Sequence, residues 1–260
     1  MLRVRPIHFT SRLDGWERLL TDLGMVKTVD EPTWREFDAG SGRLALHLVE
    51  QGSAEDGTTS FGVEVGDLKE FVRRTEEAGT AVGTTAAGTT AELIDAAHGP
   101  SCRVTAADGF TFLADPATRA ADGSWVGSAE ADPGIGVVEV WFSEDAVAAA
   151  QTLRDIGARP RAVPDSGAGV ADTVESETFT AKNGGVLMIG AGTGAGRAGL
   201  GFEYDGDFDA LRERLIEAGH EAAVIEEAAI PTLHVANPDA DGVAAHPPLW
   251  ISAAPAGGGV

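Results

Sequence analysis

The chain of 260 residues contains an internal repeat, and this repeat limits its fold more than any other feature of the sequence. The stretch FDAGSGRLALHLVEQG (37–52) aligns without a gap with FTAKNGGVLMIGAGTG (179–194). Two more pairs align, the second with one inserted residue: 8–24 with 141–157, and 61–79 with 200–219. Similarity at a nearly constant offset is typical of a chain built from repeated structural units.

The offset between the aligned segments is about half of the chain, which predicts two similar domains. We expect the first domain over residues 1–118 and the second over residues 135–255. The segment between them, 119–134 (RAADGSWVGSAEADPG), is polar and rich in glycine, a composition typical of a linker.

Each half divides again into two units with the same order of elements. In the first unit, VRPIHFT predicts a strand, and Trp16, Leu19 and Leu20 recur at the spacing of an amphipathic helix that ends before Gly24. Three strands should follow, near Val26–Val29, Trp34–Asp38 and Arg43–Val49. All four quarters of the chain share this order. The sequence therefore predicts an α+β fold of four β-α-β-β-β modules, arranged as two domains with curved mixed sheets.

Local signals place some of the element ends. Ser11 and Asp67 each stand just before an amphipathic segment and are the expected N-caps of the first two helices. Asp108 and Gly109 separate two apolar runs, which predicts a tight turn between two strands.

Composition excludes several classes of protein. The formal net charge is −22, which argues against binding to nucleic acid and favours cationic small molecules through electrostatic steering. No run approaches 18 apolar residues, so no membrane span is expected. Cys102 is the single cysteine and cannot form an internal disulfide, so a reducing cytoplasm is the expected location. We read Cys102 as a small buried hydrophobic residue.

Four modules of this size resemble the vicinal oxygen chelate superfamily, which includes glyoxalase I, bleomycin-resistance proteins and extradiol dioxygenases. The segments DLGM and EAG close helices where that group often has LGL or AGG, and AADGFTFLADP resembles its frequent hairpin. The resemblance implies that paired modules form a curved sheet, with helices on one face and a ligand cup on the other. It implies no single activity, because this scaffold hosts many functions.

The resemblance also implies where a metal ion would bind, on the first and fourth strands of paired modules. By strand alternation Arg43, Ala45 and His47 share the face toward the cup, which puts His47 at a ligand position of the family. The other three ligand positions in the first half fall on Val4, Ser60 and Leu113. The set of metal ligands that is usual in the family is therefore absent. In the second half the repeat position of His47 is Ile189, and only His246 is competent.

A different metal site stays open. His8 lies four residues after Val4 and Glu64 four residues after Ser60, so both are expected on the same faces as those positions, toward the cup. Two histidines and a carboxylate are a recognised ligand set for iron or zinc, and manganese or nickel are alternatives. His8, His47 and Glu64 could then serve a metal-dependent lyase, isomerase or dioxygenase.

The other interpretation is a protein of the bleomycin-resistance type that binds a small organic molecule without a metal. Aromatic side chains would stack on a planar compound, and Arg43 could hold a carboxylate of the ligand. The candidate ligand-binding residues are His8, Trp34, Phe37, Arg43, His47, Ser60, Glu64 and Trp141. We favour this binding function, in a monomer of two paired domains or a homodimer, and leave open whether the protein is an enzyme.

Overall fold

The structure is a computed structural model that describes residues 1–81, 88–119, 125–161, 177–193, 196–227, 230–240 and 246–255. The helices of this described part are α1 (Leu13–Asp22), α2 (Leu68–Ala81), α3 (Ala146–Asp155) and α4 (Phe208–Glu217). The strands of the first half are β1 (Leu2–Val4), β2 (Ile7–Thr10), β3 (Val26–Asp30), β4 (Trp34–Asp38), β5 (Arg43–Leu48), β6 (Thr58–Ser60), β7 (Gly62–Val65), β8 (Thr90–Ala96), β9 (Gly99–Thr105) and β10 (Thr111–Pro116). Those of the second half are β11 (Ile135–Ser143), β12 (Arg159–Pro160), β13 (Thr178–Thr180), β14 (Val186–Ala191), β15 (Arg197–Tyr204), β16 (Ala222–Glu227), β17 (Ile230–Val235) and β18 (Leu249–Ala253).

This order confirms the predicted α+β fold of four β-α-β-β-β modules, which begin at β2, β7, β11 and β15. In three of the modules, those that begin at β2, β7 and β15, the first strand pairs in parallel with the fourth. A parallel pair needs a crossover connection, and the helix of the module lies in that connection. The sheets are curved and open.

Three of the local predictions are confirmed. Gly24 has φ of 90° and Gly109 has φ of 86°, the left-handed conformation that a helix end and a tight hairpin each require. The predicted cap at Asp67 is also present, because its carboxylate accepts a hydrogen bond from the backbone N–H of Glu70 at 3.0 Å.

The predicted cap at Ser11 is wrong. Arg12 precedes α1, and no side chain caps that end of the helix. The Ser11 hydroxyl instead donates to Oδ2 of Asp56 at 3.0 Å, and the Ser11 backbone N–H donates to Oδ1 of the same carboxylate. Ser11 thus binds a carboxylate 45 residues further along the chain instead of capping α1. The residues around α1 alone do not predict this contact.

One compact unit of the chain comprises Met1–Arg5, Ser60–Val126 and Glu139–Gly199. It combines the second module with the third, and one of its sheets has the strand order β1-β7-β10-β9-β8. Thr89 joins the two modules, since its hydroxyl donates to Asp155 at 2.7 Å and lies 3.1 Å from the hydroxyl of Thr152. Helices α2 and α3 pack against each other in the same unit.

The other compact unit comprises Pro6–Thr59, Gly127–Val138 and Leu200–Val260. It combines the first module with the fourth, and its first-module strands have the order β3-β4-β5-β2-β6. Helix α1 packs on β5, and Trp16, Leu19 and Leu20 are fully buried. His220 and Asp22 join the two modules with a hydrogen bond of 2.8 Å.

Each compact unit therefore combines segments from both halves of the chain. The two sequential domains, 1–118 and 135–255, remain a prediction from the repeats. Of the predicted linker 119–134, residues 120–124 lie outside the described residues. Asp132 of that segment belongs to the second unit, where its backbone N–H donates to the carbonyl of Gly24 at 2.8 Å.

Two expectations from composition can be compared with the structure. None of the helices in the described part of the chain has the length and the hydropathy that a membrane span requires. Cys102 is fully buried in β9, and burial raises the pKa of its thiol to about 11. Because the thiolate is the reactive form, the structure agrees with a packing role for Cys102.

Candidate functional site

One face of strands β4 and β5 carries three of the predicted ligand-binding residues. The register pairs Trp34 with His47 and Asp38 with Arg43, so all four side chains lie on the same face of the sheet. The neighbouring strand β2 adds Phe9, which pairs with His47. We call this surface the β4–β5 face; its residues are Phe9, Trp34, Glu36, Asp38, Arg43 and His47.

The outer end of the β4–β5 face consists of aromatic rings. The His47 ring lies between two others, with centroid distances of 5.4 Å to Phe9 and 5.8 Å to Trp34. All three side chains are partly exposed. Aromatic rings that are held in place and still reach solvent can stack on a planar molecule.

The inner end of the same face is charged and buried. The Arg43 side chain is only 2% exposed, and its guanidinium donates from Nε to Asp38 at 2.5 Å and from a terminal nitrogen to Glu36 at 2.9 Å. The arginine therefore already has two carboxylate partners. A carboxylate of a ligand would have to displace one of them, so the structure gives no support to the predicted role of Arg43 as an anion anchor.

His8 lies on the opposite face of the sheet, and the prediction that it shares a face with His47 is wrong. The register pairs His8 with Leu46, one residue out of step with the pair of Phe9 and His47. The count from Val4 assumed one continuous strand, but β1 ends at Val4 and β2 begins at Ile7. The alternation of side chains is broken between them.

The ring of His8 is instead built into the core of the second unit. It lies 4.3 Å from the Trp16 ring, centroid to centroid, and Nε2 is 2.7 Å from a carboxylate oxygen of Asp239. Phe37 is also a core residue, with no exposed surface, and it pairs with Leu44 on the face opposite His47.

Three predicted site residues lie elsewhere. Glu64 belongs to the first unit and is buried, where Arg3 donates to it from Nε at 2.6 Å and Arg5 lies 3.6 Å away. Ser60 is exposed at the end of β6. Trp141 has no exposed surface and packs in the first unit against aromatic rings, those of Phe61, Phe110 and Phe112.

The predicted metal set does not fit this arrangement. His8 and His47 point to opposite faces of one sheet, so they cannot bind the same ion. The carboxylate of Glu64 is held by arginine in the other compact unit. Within the described ranges, no three His, Cys, Asp or Glu side chains form a group that could hold a metal ion.

Two residues before Trp141 in β11 lies a buried carboxyl group that the sequence does not single out. Glu139 has no exposed surface; Oε1 accepts from the backbone N–H of Gly62 at 2.7 Å, and Oε2 has no partner in the described part of the chain. Burial raises the pKa of Glu139 well above its usual value, although the Gly62 hydrogen bond and the charge of Arg5 act in the opposite direction. We therefore expect Glu139 to keep its proton at pH values at which an ordinary glutamate has already lost it.

A pH series of unfolding measurements tests this state of Glu139. Above the ordinary value of 4.5 the unfolded chain releases the Glu139 proton and the folded chain keeps it, so stability falls as pH rises. Relative to Glu139→Gln, the wild type should lose up to about 1.4 kcal/mol per pH unit until the raised pKa is passed. Glu92→Gln, at an exposed position, is the control. A difference between wild type and Glu139→Gln that does not change with pH would contradict the prediction.

The sequence analysis did not identify three carboxylates at this sheet: Glu36 and Asp38 on the β4–β5 face, and Asp239 on the opposite face. Alternation from Trp34 would have placed Glu36 and Asp38 on the same face, so that signal was available. Asp239 had no such signal, because it comes from a loop of the fourth module about 230 residues from its partner His8.

Comparisons with known proteins agree with the fold described above. No model of a known protein family matches the sequence, and no curated protein matches it. Among solved structures, the chain is similar to a catechol 2,3-dioxygenase with a TM-score of 0.56 and 14% identity, over 97% of this chain and 91% of that chain. It is also similar to the Mn(II)-bound glyoxalase from Novosphingobium aromaticivorans, with a TM-score of 0.59 and 11% identity, over 96% of this chain and 80% of that chain.

A third similar structure is the 2,3-dioxygenase LapB from Pseudomonas sp. KL28, with a TM-score of 0.59 and 10% identity, over 97% of this chain and 91% of that chain. The expected likeness to the vicinal oxygen chelate fold is thereby confirmed. At identities of this size the likeness concerns the fold alone.

Proposed function

We propose that the protein binds a small, planar organic molecule on the β4–β5 face. The observation that carries this proposal is a group of three partly exposed rings on adjacent strands, in which the His47 ring lies 5.4 Å from that of Phe9 and 5.8 Å from that of Trp34. Rings on strands lose little freedom when a ligand stacks on them, so the free-energy cost of binding is low. The imidazole of His47 adds a hydrogen-bonding group beside two apolar rings.

A cationic ligand suits this face better than an anionic one. The formal net charge of −22 raises the local concentration of cations around the protein. Aromatic faces attract a cation directly. Arg43 lies on the same face, but it is buried and already paired with Asp38 and Glu36, so an anion gains little from it.

Binding without a metal is the function that the donor groups support best. The set proposed from the sequence is divided between two faces and two compact units, and no metal-dependent step is assigned to it. The similar structures include a protein named catechol 2,3-dioxygenase, and catechol is a planar aromatic ring. A scaffold that accepts such a molecule in one protein is a reasonable host for another planar compound in this one.

The test is a binding screen that compares aromatic cations with neutral and anionic compounds of the same shape. We expect the cations to bind most tightly, and Trp34→Ala to weaken their binding about 5- to 30-fold, as lost stacking and cation–π attraction would do. Isothermal titration calorimetry measures the change. Leu48→Ala is the matched control, because Leu48 is exposed on β5, the strand that carries His47, and its side chain points to the opposite face from His47.

Two results would overturn the proposal. One is equal binding by Trp34→Ala and the wild type. The other comes from elemental analysis of protein purified without a metal-chelating tag: about one equivalent of iron, zinc, manganese or nickel in the wild type that is lost in His47→Ala would identify His47 as a metal ligand.

A further inference from the structure

Three side chains of the second compact unit form a hydrogen-bonded row on the face of β2 opposite His47. The hydroxyl of Thr59 lies 3.0 Å from Nδ1 of His8, and Nε2 of His8 lies 2.7 Å from a carboxylate oxygen of Asp239. A hydroxyl, an imidazole and a carboxylate in this order are the parts of an activated nucleophile. The row is separate from the β4–β5 face.

The surroundings of Asp239 determine which groups carry protons. Burial alone would raise the pKa of Asp239, but hydrogen bonds from His8, Thr10 and Trp16 outweigh burial and lower it. Asp239 is therefore an ionised carboxylate, which can only accept hydrogen bonds. Nε2 of His8 must then carry the hydrogen that it shares with Asp239.

This tautomer leaves Nδ1 of neutral His8 without a hydrogen, so Nδ1 accepts from the Thr59 hydroxyl. The ring cannot easily turn away, since it packs at 4.3 Å on the buried ring of Trp16 and is itself buried. A base that is held in one orientation and in one tautomer is what proton removal from a hydroxyl requires.

Thr59 also reaches solvent. It is the middle residue of the short strand β6, partly exposed, and its neighbours Thr58 and Ser60 are exposed. His8 and Asp239 are buried behind it. Thr59 therefore lies between the buried pair of His8 and Asp239 and the surface of the unit.

We propose that Thr59 is a nucleophile for acyl transfer, with His8 as its general base and Asp239 as the positioning residue. The substrates would be small activated acyl donors, of which aryl esters are the simplest. This proposal concerns a second site and does not depend on ligand binding at the β4–β5 face.

The reaction has two balanced steps. In the first, Oγ1 of Thr59 bonds to the acyl carbon, its proton moves to Nδ1 of His8, and the bond from carbon to the alcohol oxygen breaks. The alcohol leaves with that proton, and the acyl group stays on Thr59 as an ester. In the second, water attacks the ester and passes a proton through Nδ1, which releases the carboxylic acid and restores Thr59.

The experiment treats the full chain with p-nitrophenyl acetate, follows nitrophenolate by absorbance, and locates the added acetyl group by peptide mass spectrometry. We expect acetyl on the hydroxyl at position 59 in the wild type and in Thr59→Ser. In Thr59→Val we expect no acetyl at that position, and nitrophenolate release at the background rate. Valine has nearly the shape of threonine, and circular dichroism checks that the variant is folded.

Asp239→Asn tests the positioning role. An amide can donate to Nε2, which would move the ring hydrogen to Nδ1 and point it at Thr59, so acylation should slow at least about 100-fold while the protein stays folded. Glu92→Gln, at an exposed position in the other compact unit, should acylate at the wild-type rate.

Two outcomes would overturn the proposal. The first is acetyl found only on lysines or on the chain terminus, with Thr59→Val as fast as the wild type. The second is a folded Asp239→Asn variant that acylates Thr59 at the wild-type rate, because the row would then have no part in activating the hydroxyl.

Discussion

Replacing Arg43 with methionine is expected to lower the free energy of unfolding by about 3–5 kcal/mol. Arg43 is almost fully buried and pairs with Asp38 at 2.5 Å and Glu36 at 2.9 Å. Methionine preserves most of the side-chain volume, so the loss comes from two buried carboxylates that have lost a positive partner, and not from a cavity. Urea unfolding followed by circular dichroism measures the change.

Arg103→Met is the matched control for that prediction. Arg103 also pairs with a carboxylate on the next strand, Glu92 at 2.8 Å, but its side chain is 47% exposed and that of Glu92 is 62% exposed. An exposed pair contributes at most about 1 kcal/mol. If both methionine variants lose the same free energy of unfolding, burial does not increase the contribution of the Arg43 ion pairs to stability.

Asp239→Ala is expected to destabilise the protein by about 3 kcal/mol or more. The carboxylate accepts hydrogen bonds from His8, Thr10 and Trp16, and all four residues are buried. Each donor left without a partner costs about 1–3 kcal/mol, and the three losses need not add fully. Thermal and urea unfolding both report the change.

The same substitution should alter the acid limb of the stability curve. The pKa of Asp239 is lowered in the folded state, so its contribution is present above the ordinary aspartate value of 3.8 and is lost as pH falls through the lower, folded value. The difference between wild type and Asp239→Ala should therefore shrink in acid.

Asp14→Ala, at a side chain that is 95% exposed, should leave the unfolding curve nearly unchanged. If Asp239→Ala costs less than about 1 kcal/mol at neutral pH, the buried carboxylate is not an organising group of the second unit.

The sequence by itself determined the elements and their order. Strand β4 runs over Trp34–Asp38 as predicted, and Gly24 and Gly109 have the expected positive φ. These features depend on periodicity and on backbone preferences over a few residues, which are local properties that a single sequence displays. The repeats likewise showed that four modules share one plan.

The tertiary structure alone decided which modules form a compact unit, which face each histidine occupies and which carboxylates are buried. A break of two residues between β1 and β2 reversed the expected direction of His8, because a shift of one residue exchanges the faces of a strand. The partner of His8 then came from Asp239, far along the chain. Contacts of this kind depend on packing between distant segments, and no spacing within either segment encodes them.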